Sequence, residues 1–465
     1  MAPPRAGCPR TWDYVVSELG AIAKCSGLSR DVVERLRNLE EIMSELLKPK
    51  SCSDPVLPPV LLRQQPADGS HIDEEPTRRC MGQCMSRAST EPRRGSGGFQ
   101  ELASAVAEIE LPKAGYFDFD ILELERLLEE RRLRTPICVT GSALQRRGAL
   151  LGDLCTSGCV TKREPFEQRV NSFLWEIDGM YKDVIYHSRS HGADVMSTTA
   201  WLMSTDYLAK HMHAADHFLA LMAAAVHDVG HPGLTNAYQA NTLSVLSLRY
   251  NDRSVLENNS LALAFELMTQ KEECDWLHLL PKSGDPSGVE KPEVSLQQYA
   301  RRAIIEMVLA TDMVRHNEQV SKLLKASARE KNGSGVLGTD ERLDLLGVMV
   351  HAADISNPCK PRPMMLVWTE RVLNEFWAQG DLEQRLGLPV SPLCDRSAGR
   401  AAVAKGQLGF IKFVMCPFWN DIADFLPEAE QATRGLDQTV AFWEEKDKEQ
   451  VTYEQLFSAH TSHSE

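Results

Sequence analysis

From about residue 105 onward, apolar residues recur three or four positions apart. The pattern runs through "FDILELERLLEERRL", "EQRVNSFLWEIDGMY", "ADVMSTTAWLMSTDYLAKHM", "SLQQYARRAIIEMVLATDM", "ERLDLLGVMVHAADI" and "PMMLVWTERVLNEFWAQGDLEQRLG". A repeat near 3.6 residues turns one helix face toward a core. Neither hairpin turns between alternating residues nor a Gly-rich strand-to-helix loop is present, so the expected fold class is all-α. There is no internal repeat of fixed length, which argues against a solenoid. The longest apolar run, "FLALMAAAV" from Phe218 to Val226, is too short to span a bilayer and reads as a buried helix.

Residues 1–104 have a different texture. In "SRDVVERLRNLEEIMSELLK", Ser29 is an N-cap, and Val32, Leu36, Leu39, Met43 and Leu46 line up on one stripe, predicting an amphipathic helix over 29–48. It is shorter than the three or four heptads of a coiled coil. It reads as a helix docked on the main domain or as a dimerisation helix of a homodimer. Residues 49–100 are rich in Pro, Ser, Gly and charge, the composition of a flexible linker in a largely disordered tail. "MGQCMS" at Met81 would signal acylation only if Gly82 were N-terminal, and here it is internal. Arg93 and Arg94 precede Ser96 as basic-directed kinases favour, a pattern that arises by accident in linkers. The expected organisation is a tail over 1–104 and one helical domain over 105–465.

The formal net charge of -14 argues against nucleic acid and anionic membrane as partners, since both need a basic face. An anionic substrate would need positive charge supplied locally. The 12 cysteines form no CxxC pair, and "MAPPRAGCPR" contains no signal-like apolar stretch. Reduced thiols and a cytoplasmic location are expected, with no integral membrane segment.

Three separated segments carry candidate chemistry. In "YHSRSHGADV", His187 and His191 are four apart and would share a helix face. In "AAAVHDVGHPG", His227 and Asp228 fall where Pro232 and Gly233 stop a helix, with His231 one turn further on. In "MVHAADISNP", Asp354 closes an apolar helix before a Ser-Asn-Pro stop. A single histidine on an apolar face is usually a hydrogen-bonded core residue. Two histidines and two aspartates together are the donor set of a Zn-like ion with positions left for water. The two oxygens of Asp228 could bridge to a second, harder ion. Such a pair can activate water and neutralise a phosphoryl group.

"YHSRSHGADV", "HDVGHPGLTNAYQ", "YNDRSVLENN", "VLATDM", "HAADISNP", "EFWAQGD", "LGLPVSPLCDR" and "KGQLGFIKFV" follow in the order, and at about the spacing, of class I cyclic nucleotide phosphodiesterases. Over roughly residues 105–460 the chain resembles that family, most closely its cAMP-preferring members. The resemblance implies an all-α, HD-type metallophosphohydrolase domain that opens 3',5'-cyclic nucleotides, cAMP before cGMP, to the 5'-monophosphate. It places His191, His227, Asp228 and Asp354 as metal ligands, with Zn²⁺ at the first site and Mg²⁺ or Mn²⁺ at the second. His187 would be the general acid that protonates the O3' leaving oxygen. His231, Asn236, Glu257 and Thr311 would orient ligands and metal-bound waters. Tyr186, Asn357, Val372, Gln407 and Phe410 would bind substrate, Gln407 pairing with the purine edge while Phe410 and Val372 form the walls around the base.

The chain departs from the family pattern at Ser188, usually Asn; at Asn259 and Ser260, usually His-His; and at Gly230, where an acid is common. These leave the expected ligands in place but weaken support around them. They motivate an alternative, a weakly active or inactive relative that binds nucleotide or acts as a scaffold. A further alternative, a His-Asp hydrolase of linear phosphodiesters or nucleotides, would keep the ligands without needing Gln407 and Phe410. "HMHAADH" (His211, His213, Asp216, His217) imitates the motif but reads as surface or structural. His351 is expected to pack or hydrogen-bond locally. Met364 and Met365 fit a pocket wall or the core.

Overall fold

The computed structural model describes residues 108–457 apart from 112, 152–153, 155–158, 161, 283–294 and 334. The expected helix over 29–48, the linker, Gly82, Ser96 and the boundary at 104 lie outside the described residues. In chain order the α-helices are α1 (Ile121–Glu130), α2 (Pro136–Arg146), α3 (Arg163–Met180), α4 (Arg189–Met203), α5 (Asp206–His211), α6 (Ala214–Val226), α7 (Asn236–Asn241), α8 (Val245–Tyr250) and α9 (Val255–Gln270). They continue with α10 (Leu296–Ala310), α11 (His316–Lys331), α12 (Thr339–Asp354), α13 (Arg362–Arg385), α14 (Arg396–Ala401), α15 (Val403–Phe410), α16 (Cys416–Phe425), α17 (Glu430–Lys448) and α18 (Tyr453–Phe457). A π-helical turn, Ile411–Met415, joins α15 to α16. Among the described residues there is no strand, as the periodicity predicts.

Local signals set the boundaries. Asp120 caps α1 by accepting the amides of Leu122 and Glu123 at 3.1 Å each. Ser295 and Gln298 form a capping box at the start of α10. The apolar stretch from Ala193 to Met212 folds as two helices where the pattern suggests one. The Ser204 and Thr205 hydroxyls donate to the carbonyls of Trp201 and Leu202 at 2.7 and 2.8 Å, ending α4 before Thr205 turns extended.

The helices α4, α6 and α12 form the centre and pack on one another. Ser190–Met203, Phe218–Val226 and Leu345–Ala353 are buried without a break, as expected for helices surrounded on all sides. Two polar clusters cross this core. Asp216 on α6 accepts from Arg342 Nε on α12 at 3.1 Å, from the His213 amide at 2.9 Å and from the Tyr299 hydroxyl on α10. Lys360 Nζ donates to Asp194 at 3.0 Å and Thr198 at 2.7 Å on α4. Asp216 in "HMHAADH" is therefore structural, and Met364 and Met365 belong to the core. His351 is bonded to His316 across α11 and α12 at 3.0 Å.

A helix buried on every face can present polar side chains to a ligand only where its backbone leaves the core. His191 lies in the first turn of α4, His227 is the C-cap of α6, and Asp354 is the last residue of α12.

Candidate active site

These helix ends bring four donors together. His191 Nε2 is 2.9 Å from Asp354 Oδ1 and 3.6 Å from Asp228 Oδ2; His227 Nε2 is 3.1 Å from Asp228 Oδ2 and 3.3 Å from Asp354 Oδ1. One ligand atom from each of the four lies within 4.8 Å of the others. Both histidines are essentially inaccessible to solvent. His227 Nδ1 donates to the Ala224 carbonyl at 2.9 Å, which leaves the Nε2 lone pair free, the tautomer a metal ligand needs. His227 Nε2 and Asp228 Oδ2 are buried without a hydrogen-bond partner, although they face each other. Orphaned buried donors and acceptors of this kind fit a cation between them.

Burial opposes charge on His227, yet Asp228 and Asp354 outweigh it and hold the ring's pKa well above the usual imidazole range. Burial would raise both carboxyls, but His227 overrides it and holds each below the usual carboxylate range. The two carboxylates favour positive charge at this point, carried either by a proton on His227 or by a cation on its lone pair.

His187 differs from the expectation that it shares a helix face with His191. The helix starts at Arg189 with Ser188 as N-cap, so His187 precedes it, and the two ring centroids are 6.1 Å apart. Ser188 is extended (φ -98°, ψ 173°), and this bend turns His187 toward α13. There its Nδ1 is bonded to Glu375 Oε1, while Glu375 Oε2 accepts the Tyr186 amide at 2.7 Å and the His187 amide at 3.3 Å. Burial lowers the pKa of His187, but Asp228 and Glu375 together raise it above the ordinary value. The ring stacks on His231 at 3.8 Å. Burial and the charge of His187 push His231 down to about 3, and its Nδ1 accepts from the Gly233 amide at 3.0 Å. Of the two stacked imidazoles, His187 is biased toward the protonated form and His231 toward the neutral one.

Beside the four donors, Asn236 Nδ2 donates to both oxygens of Glu257 at 3.1 and 3.0 Å, and its Oδ1 accepts the Leu256 amide at 2.9 Å. Burial raises Glu257 to about 7, with Asp312 and Asp228 adding to the effect. Asp312 accepts from Ser254 Oγ at 2.8 Å. Thr311 is the C-cap of α10, and its hydroxyl donates to Val308 O at 2.8 Å. On the other side, Asn357 Nδ2 donates to the Tyr186 hydroxyl at 2.7 Å, and Tyr186 leans over His191 at 4.8 Å. Asn357 Oδ1 is buried without a partner. Val372 on α13 and Gln407 and Phe410 on α15 are half-buried, and no hydrogen bond or ring contact among the described residues ties them to the His/Asp cluster.

The departures at Gly230, Asn259 and Ser260 fit one another. Gly230 has φ +78°, and a Cβ there would lie 2.4 Å from Leu263 Cδ1 and 3.4 Å from Asn259 Nδ2. Ser260 Oγ donates to Val229 O at 3.0 Å, holding the turn that carries Asp228. Reading the sequence missed two acids, Glu375 and Asp312. Glu375 had a signal: it lies a heptad after Trp368 on the buried stripe of α13, where an acid must have a partner.

Known proteins give independent support. The family model for 3'5'-cyclic nucleotide phosphodiesterase matches residues 186–436. The chain is 38% identical over 281 residues to the 3',5'-cyclic-AMP phosphodiesterase 4C of Mus musculus, covering 59% of this chain and 39% of that protein. To its Rattus norvegicus counterpart it is 39% identical over 280 residues, covering 59% and 49%. The chain therefore spans about half or less of these curated relatives. The phosphodiesterase domain of the RhoPDE fusion protein from the choanoflagellate Salpingoeca rosetta superimposes with a TM-score of 0.59 at 28% identity, over 75% of this chain and all of that one. With a match across more than half the chain, over a fold whose buried helix ends deliver the expected donors to one point, the protein belongs to the 3'5'-cyclic nucleotide phosphodiesterase family.

Proposed function

We propose that this chain hydrolyses 3',5'-cyclic nucleotides, cAMP in preference to cGMP, to 5'-monophosphates in the cytoplasm, through a catalytic domain over 105–465. The observation that carries the reading is a hydrogen-bonded His187–Glu375 pair set beside four converging metal-type donors with orphaned buried atoms.

His191, His227, Asp228 and Asp354 would hold a Zn²⁺-like ion, and Asp228 would share a second, Mg²⁺ or Mn²⁺, largely bound by water. Bound there, such ions supply an acidified water and offset phosphoryl charge. The side chains of the protein supply the rest. Glu375 occupies His187 Nδ1, so Nε2 is the atom left to deliver a proton to O3', a poor leaving group as an alkoxide. Asn236 and Glu257, bonded to each other, would orient water bound to a second ion, a role that the family resemblance also implies for His231 and Thr311. The unpaired Asn357 Oδ1 is an acceptor suited to an amine on the base, and Gln407, Phe410 and Val372 complete the base site. The cAMP preference is supported by the "ISNPCKP" segment around Asn357 and by the names of the curated relatives. A reducing compartment is consistent with Cys138, Cys159, Cys274, Cys359, Cys394 and Cys416, all free. Among the described residues no helix is long and apolar enough to cross a membrane.

The departures at Ser188, Asn259 and Ser260 leave all four donors converged, so an active enzyme is favoured over a scaffold. Assays of the purified chain with Mg²⁺ or Mn²⁺ against cAMP, cGMP and a linear phosphodiester test this. The expected order of kcat/KM is cAMP, then cGMP, then the linear diester; turnover of none would overturn the proposed reaction.

A further inference from the structure

The helix α13 carries three polar residues, Glu375, Gln379 and Glu383, one turn apart on one face. All three are buried, with 3%, 1% and 1% of their surface exposed. Each holds a different segment. Glu375 holds Tyr186 and His187. Gln379 Oε1 accepts the Thr235 amide at 2.9 Å, and its Nε2 donates to Glu383 Oε1 at 2.9 Å. Glu383 accepts the Ser391 amide and hydroxyl, both at 2.6 Å.

The segments held by Gln379 and Glu383 lead in different directions. Thr235 is the N-cap of α7 and directly precedes Asn236, the partner of Glu257. Ser391 lies in the loop from α13 to α14. Cys394 in that loop sits so close to α13 that a Cβ on Gly380 would lie 1.9 Å from its carbonyl oxygen. Arg396 then pairs with Asp381 at 2.6 Å, and α14 leads into α15 with Gln407 and Phe410. Burying two carboxylates and an amide on one helix face costs desolvation that leucines would avoid. Apart from the bond between Gln379 and Glu383, their side-chain hydrogen bonds go to Tyr186, His187, Thr235 and Ser391.

We propose that Gln379 and Glu383 are positioning residues. With Glu375 they make α13 a rod that fixes the acid histidine, the Asn236–Glu257 pair and the nucleotide-pocket helix α15 in one register. Gln379 acts through Thr235 on the second-cation side, and Glu383 acts through Ser391 on the nucleotide side. The assignment of sides rests on the proposed reaction.

Three variants of the intact 465-residue chain test it. Gln379→Met keeps length and volume but leaves the Thr235 amide without its acceptor and Glu383 without one of its donors; kcat falls about tenfold, the lower end of the loss when groups supporting a metal site are removed, and KM changes less. Glu383→Gln removes the charge and turns an NH2 group toward one of the donors that Glu383 now accepts, from Ser391 or Gln379; KM rises about tenfold, as for loss of a charge-assisted hydrogen bond, with a smaller change in kcat. Gln379→Glu restores an acceptor for Thr235 but places a second carboxylate against Glu383, so its defect moves from kcat to KM. Hydrogen–deuterium exchange, which needs neither substrate nor cation, shows faster exchange at 234–240 in Gln379→Met and at 387–395 in Glu383→Gln. Unchanged exchange at these segments would overturn the rod, and so would equal losses of kcat and KM that follow the unfolding midpoint in all three variants. If the wild-type chain turned over no cyclic nucleotide, the proposed reaction would fail, and the exchange data would still decide the register.

Discussion

Glu375→Gln isolates the acid from the metal donors. Glutamine keeps the volume and can still accept the Tyr186 amide, but it carries no charge for His187. The bond from His187 Nδ1 lies between a side chain 22% exposed and one 4% exposed, so solvent screens it little. A hydrogen bond to a charged, buried group contributes about 1.5–3 kcal/mol. At about 1.4 kcal/mol per factor of ten, the variant should lose roughly 10- to 100-fold in kcat/KM where the charge of His187 matters. Asp228 also raises His187; a cation bound at Asp228 would offset that share and leave the share from Glu375. The pH dependence fixes the sign. A raised pKa keeps the imidazolium populated to higher pH, so removing its partner moves the alkaline limb of the kcat/KM profile to lower pH. The wild-type to variant ratio should therefore grow as pH rises and shrink toward acid. The assay is kcat/KM for cAMP across the pH range at saturating Mg²⁺. A ratio that stayed flat, or grew toward acid pH, would show that Glu375 does not sustain an acid at His187.

Asp228→Ala removes the carboxylate nearest His227 Nε2, and both bound metal, measured by elemental analysis, and hydrolysis should fall to background; retention of either would break the ligand assignment. Gln407→Ala should lower kcat/KM for cyclic nucleotide by about tenfold or more with metal content unchanged, since a site built to pair with a base edge loses that much with its partner; parallel loss of metal would contradict the base-site role. Asp216→Ala strips the buried Arg342 of its carboxylate and should cost about 3–5 kcal/mol in unfolding free energy, read by denaturant titration, without altering metal stoichiometry.

The periodicity of the chain made the helices legible because a repeat of three or four residues is a local property. It could not show that 193–212 breaks in two, since hydroxyls bonding back to Trp201 and Leu202 compete with the helix at short range without disturbing the apolar pattern. It also placed His187 on the wrong side of a helix start, because an extended Ser188 is compatible with the same sequence spacing.

For the site, the sequence by itself determined the donor types and, for His227, Asp228 and Asp354, their positions at helix ends, because stop signals and histidine–aspartate chemistry are written in adjacent residues. Only the tertiary structure decided which face which. It placed His191, His227, Asp228 and Asp354 within bonding reach, paired His187 with Glu375 across 188 positions of chain, and bonded Gln379 to Thr235 and Glu383 to Ser391. Those pairings are set by how α4, α6, α12 and α13 pack, and packing depends on the shape of the whole core, which no short stretch of chain specifies.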